Sequence, residues 1–238
     1  MPGFALKAGA RKLMSENAPK LFIISIILVI ITTLMSELQF RLPGTSSAYT
    51  QFLGQIAAGE QISPRLLYSN LRPPGVALAA LLWLMQPVIE IGYKSYCLKT
   101  LRGSKGGYKD ILDGFLYFGK VIIISIASLF LILLWSLLLL FPGIIAAYRY
   151  RQAYYILLEN PEKGALQCIR ESKRLMEGKK LELFLLDLSF IGWFILDYAV
   201  AMFIPLPFSF PIVSVFLTPY LGLTRAAYYD GLINRLVV

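Results

Sequence analysis

Residues 120–141, KVIIISIASLFLILLWSLLLLF, decide the fold class, because no charged side chain follows Lys120 in this run. A transmembrane helix needs about 20 consecutive apolar residues. Similar apolar runs on both sides of this stretch predict an all-α membrane protein in which residues 1–238 form a single polytopic domain. The six predicted spans are residues 21–38, 75–98, 120–141, 144–159, 181–204 and 212–232.

The composition supports this assignment, since 57% of the 238 residues are hydrophobic and only 16% are charged. Soluble domains contain roughly 45–50% apolar and 25% charged residues. These proportions exclude a soluble enzyme, a disordered chain and a disulfide scaffold. The net charge of +9 would suggest a nucleic-acid partner for a soluble protein. In a membrane protein it follows from the positive-inside rule, so no nucleic acid is expected.

The distribution of lysine and arginine predicts the topology. Most of them fall in residues 1–19 and in the basic segments 99–119 and 160–180, whereas the long connection 39–73 holds only Arg41, Arg65 and Arg72. Positive loops stay on the cytoplasmic side. We therefore predict that both termini are cytoplasmic and that residues 39–73 form an extracytoplasmic loop containing short helices.

Amphipathic segments precede several spans on the predicted cytoplasmic side. Residues 1–19 form one such segment, with Phe4 and Ala8 on an apolar face and Lys7 and Arg11 opposite; residues 162–177 form another. Both are predicted to lie at the membrane interface. Basic side chains there either contact anionic lipid headgroups or only orient the protein. The candidate lipid contacts are Lys12, Lys20, Lys120, Arg170, Lys173, Arg174, Lys179 and Lys180.

An internal repeat is visible at the junctions where an amphipathic helix leads into a span. ARKLMSENAPKLFI at residues 10–23 resembles SKRLMEGKKLELFL at residues 172–185, and KLFIISI at 20–26 resembles KVIIISI at 120–126. Three helical hairpins in parallel orientation would explain the pattern. The alternative to duplication is that such junctions became similar independently.

Polar side chains inside the predicted spans are the candidate functional residues, because each charge costs about 2.5–3.5 kcal/mol at the bilayer centre on insertion scales. We expect Glu90 and Asp187 to meet Arg151 and Arg225, and Arg149 to be the partner of Asp197. This network either fixes the packing of the helices or lines a polar cavity for a lipid headgroup, solute or proton. Tyrosine hydroxyls and Gln152 are expected to support it, and Pro87 and Pro219 to kink their helices beside it.

Residues with catalytic or metal-binding chemistry are scarce. The chain has no histidine, its cysteines Cys97 and Cys168 form no C-x-x-C motif, and no nucleophile–base set is recognisable. Asp187 and Asp197 lie ten residues apart on one predicted helix, too far apart to share a proton. We therefore expect no enzymatic activity, no bound metal and no cofactor.

Four stretches of the sequence resemble the DUF975 family of bacterial integral membrane proteins. They are FPGIIAAYRYRQAYYILLENP (141–161), ALQCIRESKRLMEGKK (165–180), LSFIGWFIL (188–196) and TPYLGLTRAAYYDGL (218–232). The resemblance implies a location in the bacterial cytoplasmic membrane and a helical architecture. It transfers no catalytic residue, since the family has no settled biochemical function.

The sequence favours a non-enzymatic protein that binds or organises membrane lipids or partner membrane proteins. The alternative is a small transporter or channel that uses the charges inside its helices. An intramembrane enzyme is the third and least supported class. The oligomeric state is not readable from the sequence, but a homodimer, the commonest kind of oligomer, is expected.

Overall fold

The computed structural model describes residues 3–59, 72–104, 106–203 and 211–234, and these residues are almost entirely helical. Residues 60–71 of the predicted extracytoplasmic loop, residues 204–210 and residues 235–238 lie outside the described parts. The helices are α1 (Gly3–Glu16), α2 (Ala18–Arg41), α3 (Thr45–Ala58), α4 (Pro73–Leu101), the short α5 (Asp113–Leu116), α6 (Phe118–Leu138), α7 (Leu140–Tyr150), α8 (Ala153–Glu159), α9 (Ala165–Leu175), α10 (Lys180–Leu188), α11 (Ile191–Phe203) and α12 (Ile212–Asn234). A 3-10 helix covers Tyr108–Leu112.

Four helical stretches of the described chain are long and apolar enough to cross a membrane. They are Ala18–Arg41, Pro73–Leu101, Phe118–Leu138 and Lys180–Val200. They correspond to the first, second, third and fifth predicted spans. The fourth predicted span is divided between α7 and α8, and the sixth is the helix α12, which is less apolar. The all-helical class is confirmed, and the count of six spans stays a prediction.

The turn between the third and fourth predicted spans lies earlier than the sequence suggested. Leu139 is extended, with φ −164° and ψ 150°, and α7 begins at Leu140, so that Pro142 falls in its first turn. Proline is tolerated there because the first N–H groups of a helix have no intrahelical acceptor. A Cβ at Gly143 would collide with the side chain of Ser136, so this helical hairpin requires glycine at its closest approach.

Two compact units make up the chain, residues 1–29 with 87–238 and residues 30–86. In the smaller unit, α3 covers the apolar residues whose spacing predicted a short helix, and Phe40 packs edge-to-face on Tyr49 at 6.4 Å. Gly44 begins this helix with φ +83°, a conformation that glycine adopts at no steric cost. The prediction of a single domain stays a prediction.

In the larger unit, the core joins α1 to the C-terminal helices. Leu6 is buried among Leu183, Leu186, Phe190 and Leu232. The apolar contact of α1 is therefore made by Leu6, with Ala10 also buried, whereas Phe4 is 76% exposed. The apolar face proposed from Phe4 and Ala8 is thus not the one that packs on the protein.

The amphipathic helix α9 also packs on protein. Its buried residues Ala165, Cys168, Ile169 and Ser172 form the face in contact with α6, α7 and α8. Gly178 follows this segment with φ +70°, a conformation that glycine adopts easily at the end of a helix. Its apolar face is covered by neighbouring helices, which leaves the basic face outward. A position of α9 at the membrane interface stays a prediction, as does the internal repeat.

Candidate functional site

Asp187 lies at the centre of the predicted charge network. Its Oδ1 accepts hydrogen bonds from Nε and Nη2 of Arg225 at 3.1 and 3.0 Å. Its Oδ2 accepts from Nη1 of Arg151 at 2.6 Å and from the hydroxyl of Tyr148 at 3.2 Å. We call Tyr148, Arg151, Asp187 and Arg225 the Asp187 cluster. One carboxylate therefore holds two guanidinium groups, and the prediction that Arg151 and Arg225 share Asp187 agrees with this geometry.

An interruption of the helix places Arg151 in the cluster. The turn at Arg151 and Gln152 separates α7 from α8, and Ser172 of α9 inserts its hydroxyl there. The Gln152 N–H donates to Ser172 Oγ at 3.1 Å, and that hydroxyl donates to the Arg149 carbonyl at 2.9 Å. Ser172 thus satisfies two backbone groups that an unbroken helix would pair internally.

A second interruption follows Asp187. The helix α10 ends at Leu188, and α11 begins at Ile191. Lys7 of α1 donates to the carbonyl of Ser189 at 3.2 Å, and its ammonium lies 4.2 Å from the centre of the Phe190 ring. The first helix of the chain therefore supports the break beside Asp187.

Glu90 has a different direct partner from the one the sequence predicted. Its carboxylate bonds to Lys94 Nζ at 3.0 Å, one turn along α4, although the charges of Arg225 and Arg151 also act on it. The Lys94 ammonium lies over the ring of Tyr154 at 4.6 Å. A helix favours such pairs four residues apart because the two side chains lie on the same face. The Glu90 side chain nevertheless stays 54% exposed.

Arg149 and Asp197 do not pair. Asp197 accepts hydrogen bonds from the Val213 N–H at 2.9 Å and the Ser214 hydroxyl at 2.5 Å, so it caps the start of α12. The free N–H groups of a helix's first turn favour a carboxylate at that place. The Arg149 guanidinium instead lies 5.8 Å from the Trp135 ring. The predicted Arg149–Asp197 pair is wrong.

Two buried polar atoms near the cluster have no hydrogen-bond partner within the described chain. They are Nε of Arg149 and Oε1 of Gln152, whose residue is only 2% exposed. The Gln152 backbone is part of the Ser172 bridge, but its side chain does not support the carboxylate as predicted. Pro87 and Pro219 lie inside α4 and α12, close in sequence to Glu90 and Arg225.

The eight candidate lipid contacts fall into two groups. The exposed ones are Lys12, Lys20, Arg170, Lys173 and Arg174, although Lys20 also donates to the Gly106 carbonyl. The other three are half-buried: Lys120 donates to the Pro161 carbonyl, Lys179 pairs with Glu182 at 3.5 Å, and Lys180 completes the group.

A second charge cluster lies where α4, α8 and α12 end. Arg102 pairs with Asp230 at 2.8 Å and with Glu159, which also accepts a hydrogen bond from the Tyr229 hydroxyl at 2.6 Å. We call Arg102, Glu159, Tyr229 and Asp230 the Arg102 cluster. Partial burial lowers the pKa of Arg102, but its hydrogen bonds to Glu159 and Asp230 outweigh this and raise the pKa above its ordinary value. The sequence did not suggest this cluster, whose members are 57 and 128 residues from Arg102.

A cavity of about 650 Å³ adjoins the Arg102 cluster and is lined in part by Glu159 and Tyr229. A smaller one of about 420 Å³ lies between α1 and α10, beside Lys7 and Leu186. Cys97 and Cys168 are buried free thiols, and burial raises the pKa of Cys168. In the described parts of the chain, no three His, Cys, Asp or Glu residues lie together as metal ligands would.

The comparisons with known proteins give a family but no activity. No curated protein and no solved structure matches the chain. The model of the family described as "Protein of unknown function (DUF975)" matches residues 137–236. This region contains all four residues of the Asp187 cluster, together with Ser172 and α12. Over residues 137–236 the chain is therefore similar to the DUF975 family.

Proposed function

We propose that this chain is a non-enzymatic integral membrane protein that binds anionic lipid through the Asp187 cluster. In this proposal it crosses the bacterial cytoplasmic membrane six times, with both termini in the cytoplasm. The four apolar stretches and the lysine and arginine distribution support the topology. The interrupted α7–α8 segment and α12 would be the remaining two spans.

One observation carries the proposal: a single carboxylate, Asp187, neutralises two guanidinium groups. Asp187 leaves one positive charge of Arg151 and Arg225 without a counter-ion, and Glu90 is already occupied by Lys94. An unbalanced charge inside a bilayer is costly, so a bound anion would stabilise this arrangement. Guanidinium groups bind phosphate oxygens through paired hydrogen bonds, which makes a phospholipid headgroup a fitting ligand.

The cluster is not sealed within the protein. The side chains of Arg151 and Arg225 are 32% and 27% exposed, although that of Asp187 is only 13% exposed. The N–H groups that do not face Asp187 can therefore meet a ligand. The exposed basic residues of α1 and α9 would add weaker, salt-sensitive attraction for the same lipids.

Native mass spectrometry of the protein in nanodiscs that contain phosphatidylglycerol and phosphatidylcholine tests this function. Wild type should retain phosphatidylglycerol after the nanodisc is stripped, and Arg151→Gln or Arg225→Gln should retain less. Arg151→Lys keeps the charge but not the paired hydrogen bonds, and should retain an intermediate amount. Arg170→Gln is the matched control on the exposed surface.

Two outcomes would contradict the proposal. Retention of phosphatidylglycerol that is unchanged in both cluster variants would exclude the Asp187 cluster as the binding site. Retention that falls with Arg170→Gln but not with Arg151→Gln would assign lipid binding to the outer basic face instead.

Transport is the second candidate function, and the interruptions of the helices favour it. Arg151 lies at one break, Asp187 just before another, and Pro87 and Pro219 lie inside the helices that carry Glu90 and Arg225. Discontinuous helices often surround the binding sites of transporters. A Glu90→Cys variant in a Cys97→Ser, Cys168→Ser background tests access from water. Rapid reaction with a charged thiol reagent would support transport, and no reaction would contradict it.

A partner membrane protein or a second copy of this chain is also compatible with a role in organising lipids. Cross-linking in native membranes followed by size analysis tests this part of the proposal. Only monomeric species at all cross-linker concentrations would contradict it.

A further inference from the structure

The cavity of about 650 Å³ lies apart from the Asp187 cluster, and none of Tyr148, Arg151, Asp187 and Arg225 is among its lining residues. Its walls come from the last turns of α8, α9 and α12. Small-molecule sites in proteins typically have volumes of about 300–1,000 Å³. The size therefore suits a small organic ligand or part of an amphiphile.

Helix ends give the cavity a negative character. Leu175 is the last residue of α9, and Leu232 and Ile233 lie in the last turn of α12, so the C-terminal ends of both helices open towards this space. A helix carries a partial negative charge of about half an electron at its C-terminal end. The ends of α9 and α12 thus both favour a cation.

The charged side chains add to this effect. Glu159, Glu171 and Glu177 line the cavity. Glu171 is balanced by Lys163 at 2.8 Å, but Glu159 must share Arg102 with Asp230. The Arg102 cluster therefore keeps a surplus negative charge beside the cavity.

Basic residues on the wall do not cancel this surplus. Lys179 pairs with Glu182 at 3.5 Å, and its carbonyl accepts a hydrogen bond from the Tyr228 hydroxyl at 2.9 Å. Arg174 is exposed and stands one turn before the equally exposed Glu177. Arg174 and Glu177 together contribute no net charge.

The remainder of the wall is apolar and aromatic. Ile156 and Leu232 are each 5% exposed, and Leu175 and Ile233 complete the apolar part. The Tyr229 ring is stacked on that of Tyr155 with centroids 4.8 Å apart, which holds the Tyr229 side chain in place at the edge of the cavity.

From this geometry we infer that the cavity is a second binding site, which takes an organic ammonium ion with an apolar body. The ammonium group faces Glu159, Glu177 and the ends of α9 and α12, and the apolar body packs on Ile156, Leu232 and Tyr229. The inference does not rest on anionic-lipid binding, because the two sites share no residue.

Two probes of nearly equal size and opposite charge test the inference at pH 7. They are 2-phenylethylammonium and 3-phenylpropionate, applied to the full chain in phosphatidylcholine nanodiscs, with empty nanodiscs subtracted. Saturation-transfer NMR and equilibrium dialysis should show that the ammonium ion binds roughly tenfold or more tightly than the carboxylate, because a charge-assisted contact discriminates at that level. Equal binding of the two probes, or no binding of 2-phenylethylammonium, would overturn the inference.

Variants then locate the site. Ile233→Trp should fill the cavity and abolish ammonium binding, and Glu177→Gln should weaken binding severalfold. Glu162→Gln removes an exposed carboxylate outside the cavity and should leave binding unchanged. Glu177 is exposed, so its variant is expected to fold even if Ile233→Trp does not. Unchanged ammonium affinity in Glu177→Gln, or in a folded Ile233→Trp, would contradict the assignment.

Discussion

The Asp187 cluster and the Arg102 cluster use the same ratio of charges with opposite signs. Asp187 is one carboxylate between Arg151 and Arg225, whereas Arg102 is one guanidinium between Glu159 and Asp230. Each joins three segments of the larger unit. They differ in exposure: the central side chain is 13% exposed for Asp187 and 41% for Arg102.

This difference in exposure decides what each cluster can contribute. Water and salt screen Arg102, so its ion pairs add little to stability and can rearrange. Asp187 lies within a predicted span, where its removal would leave two arginines without a counter-ion. Asp187 and Arg102 each hold two oppositely charged side chains. We nevertheless expect Asp187 to be essential for stability and Arg102 to be replaceable.

Asp187→Asn should produce the largest effect. Breaking a buried ion pair by removing one partner costs about 3–5 kcal/mol, so we expect a large loss of folded protein and of thermal stability in detergent. Asp197→Asn is the matched control, because Asp197 only caps a helix and asparagine caps about as well as aspartate, so this variant should lose at most about 1 kcal/mol. A thermal midpoint for Asp187→Asn no lower than that of Asp197→Asn would remove the distinction between the two clusters.

Ser172→Ala should have the next largest effect, since it removes the hydroxyl that bridges the break beside Arg151. Leaving the Gln152 N–H and the Arg149 carbonyl unpaired in a buried place should cost about 1–3 kcal/mol. Thermal unfolding measures this loss. Ser15→Ala, which changes an exposed hydroxyl on α1, should stay within about 0.5 kcal/mol of wild type. Equal stability of the two variants would show that the bridge does not support the cluster.

Arg102→Gln should have a smaller effect that depends on salt. Because the Arg102 side chain is 41% exposed and water and salt reach it, we expect a loss of about 1 kcal/mol or less at low ionic strength, and almost none in 1 M NaCl. Thermal midpoints of wild type and variant at both salt concentrations provide the measurement. A loss that is as large in 1 M NaCl as at low salt would place the Arg102 cluster in the same class as the Asp187 cluster.

The smallest effect concerns the packing of α9, which carries Ser172. In a Cys97→Ser background, Cys168 should react slowly with a maleimide, because it is buried and burial raises its pKa. Raising the pH from 7 to 8 should increase this rate by a factor approaching about ten, at least as steeply as for Lys173→Cys on the exposed face, while Cys168 stays the slower thiol at both pH values. Equal rates at Cys168 and at the introduced cysteine would show that α9 detaches from α6, α7 and α8.

The sequence predicted which charges meet at Asp187, but not how every polar side chain is oriented. Arg151, Asp187 and Arg225 stood at similar depths within apolar runs, and opposite charges there have few alternatives to pairing. Depth along a helix does not give rotation about its axis. For this reason Asp197 was assigned to Arg149, although it caps α12. Lys94 could have been found as the partner of Glu90, since the two stand four residues apart on one helix.

Other features depend on contacts between distant parts of the chain. Ser172 has no unusual neighbours in the sequence, and its insertion beside Gln152 follows only from the packing of α9. The breaks in the fourth and fifth predicted spans depend on such contacts too. Arg151 and Gln152 are polar, but a polar residue does not by itself interrupt a helix, and Ser189 and Phe190 stand in an otherwise apolar run. Pro142 shows the opposite case. It lies between the predicted spans 120–141 and 144–159, but proline is favoured in the first turn of a helix, and the connection therefore lies earlier, at Leu139.

The bond from Lys7 to the Ser189 carbonyl joins residues 182 positions apart. A ribosome releases α1 long before it has made α10 and α12, so the first helix must wait for almost the whole chain before its partners exist. During that interval Leu6 would have to rest against lipid or a chaperone. Docking of α1 is therefore a late step of biogenesis, because it requires that the C-terminal helices have already been inserted.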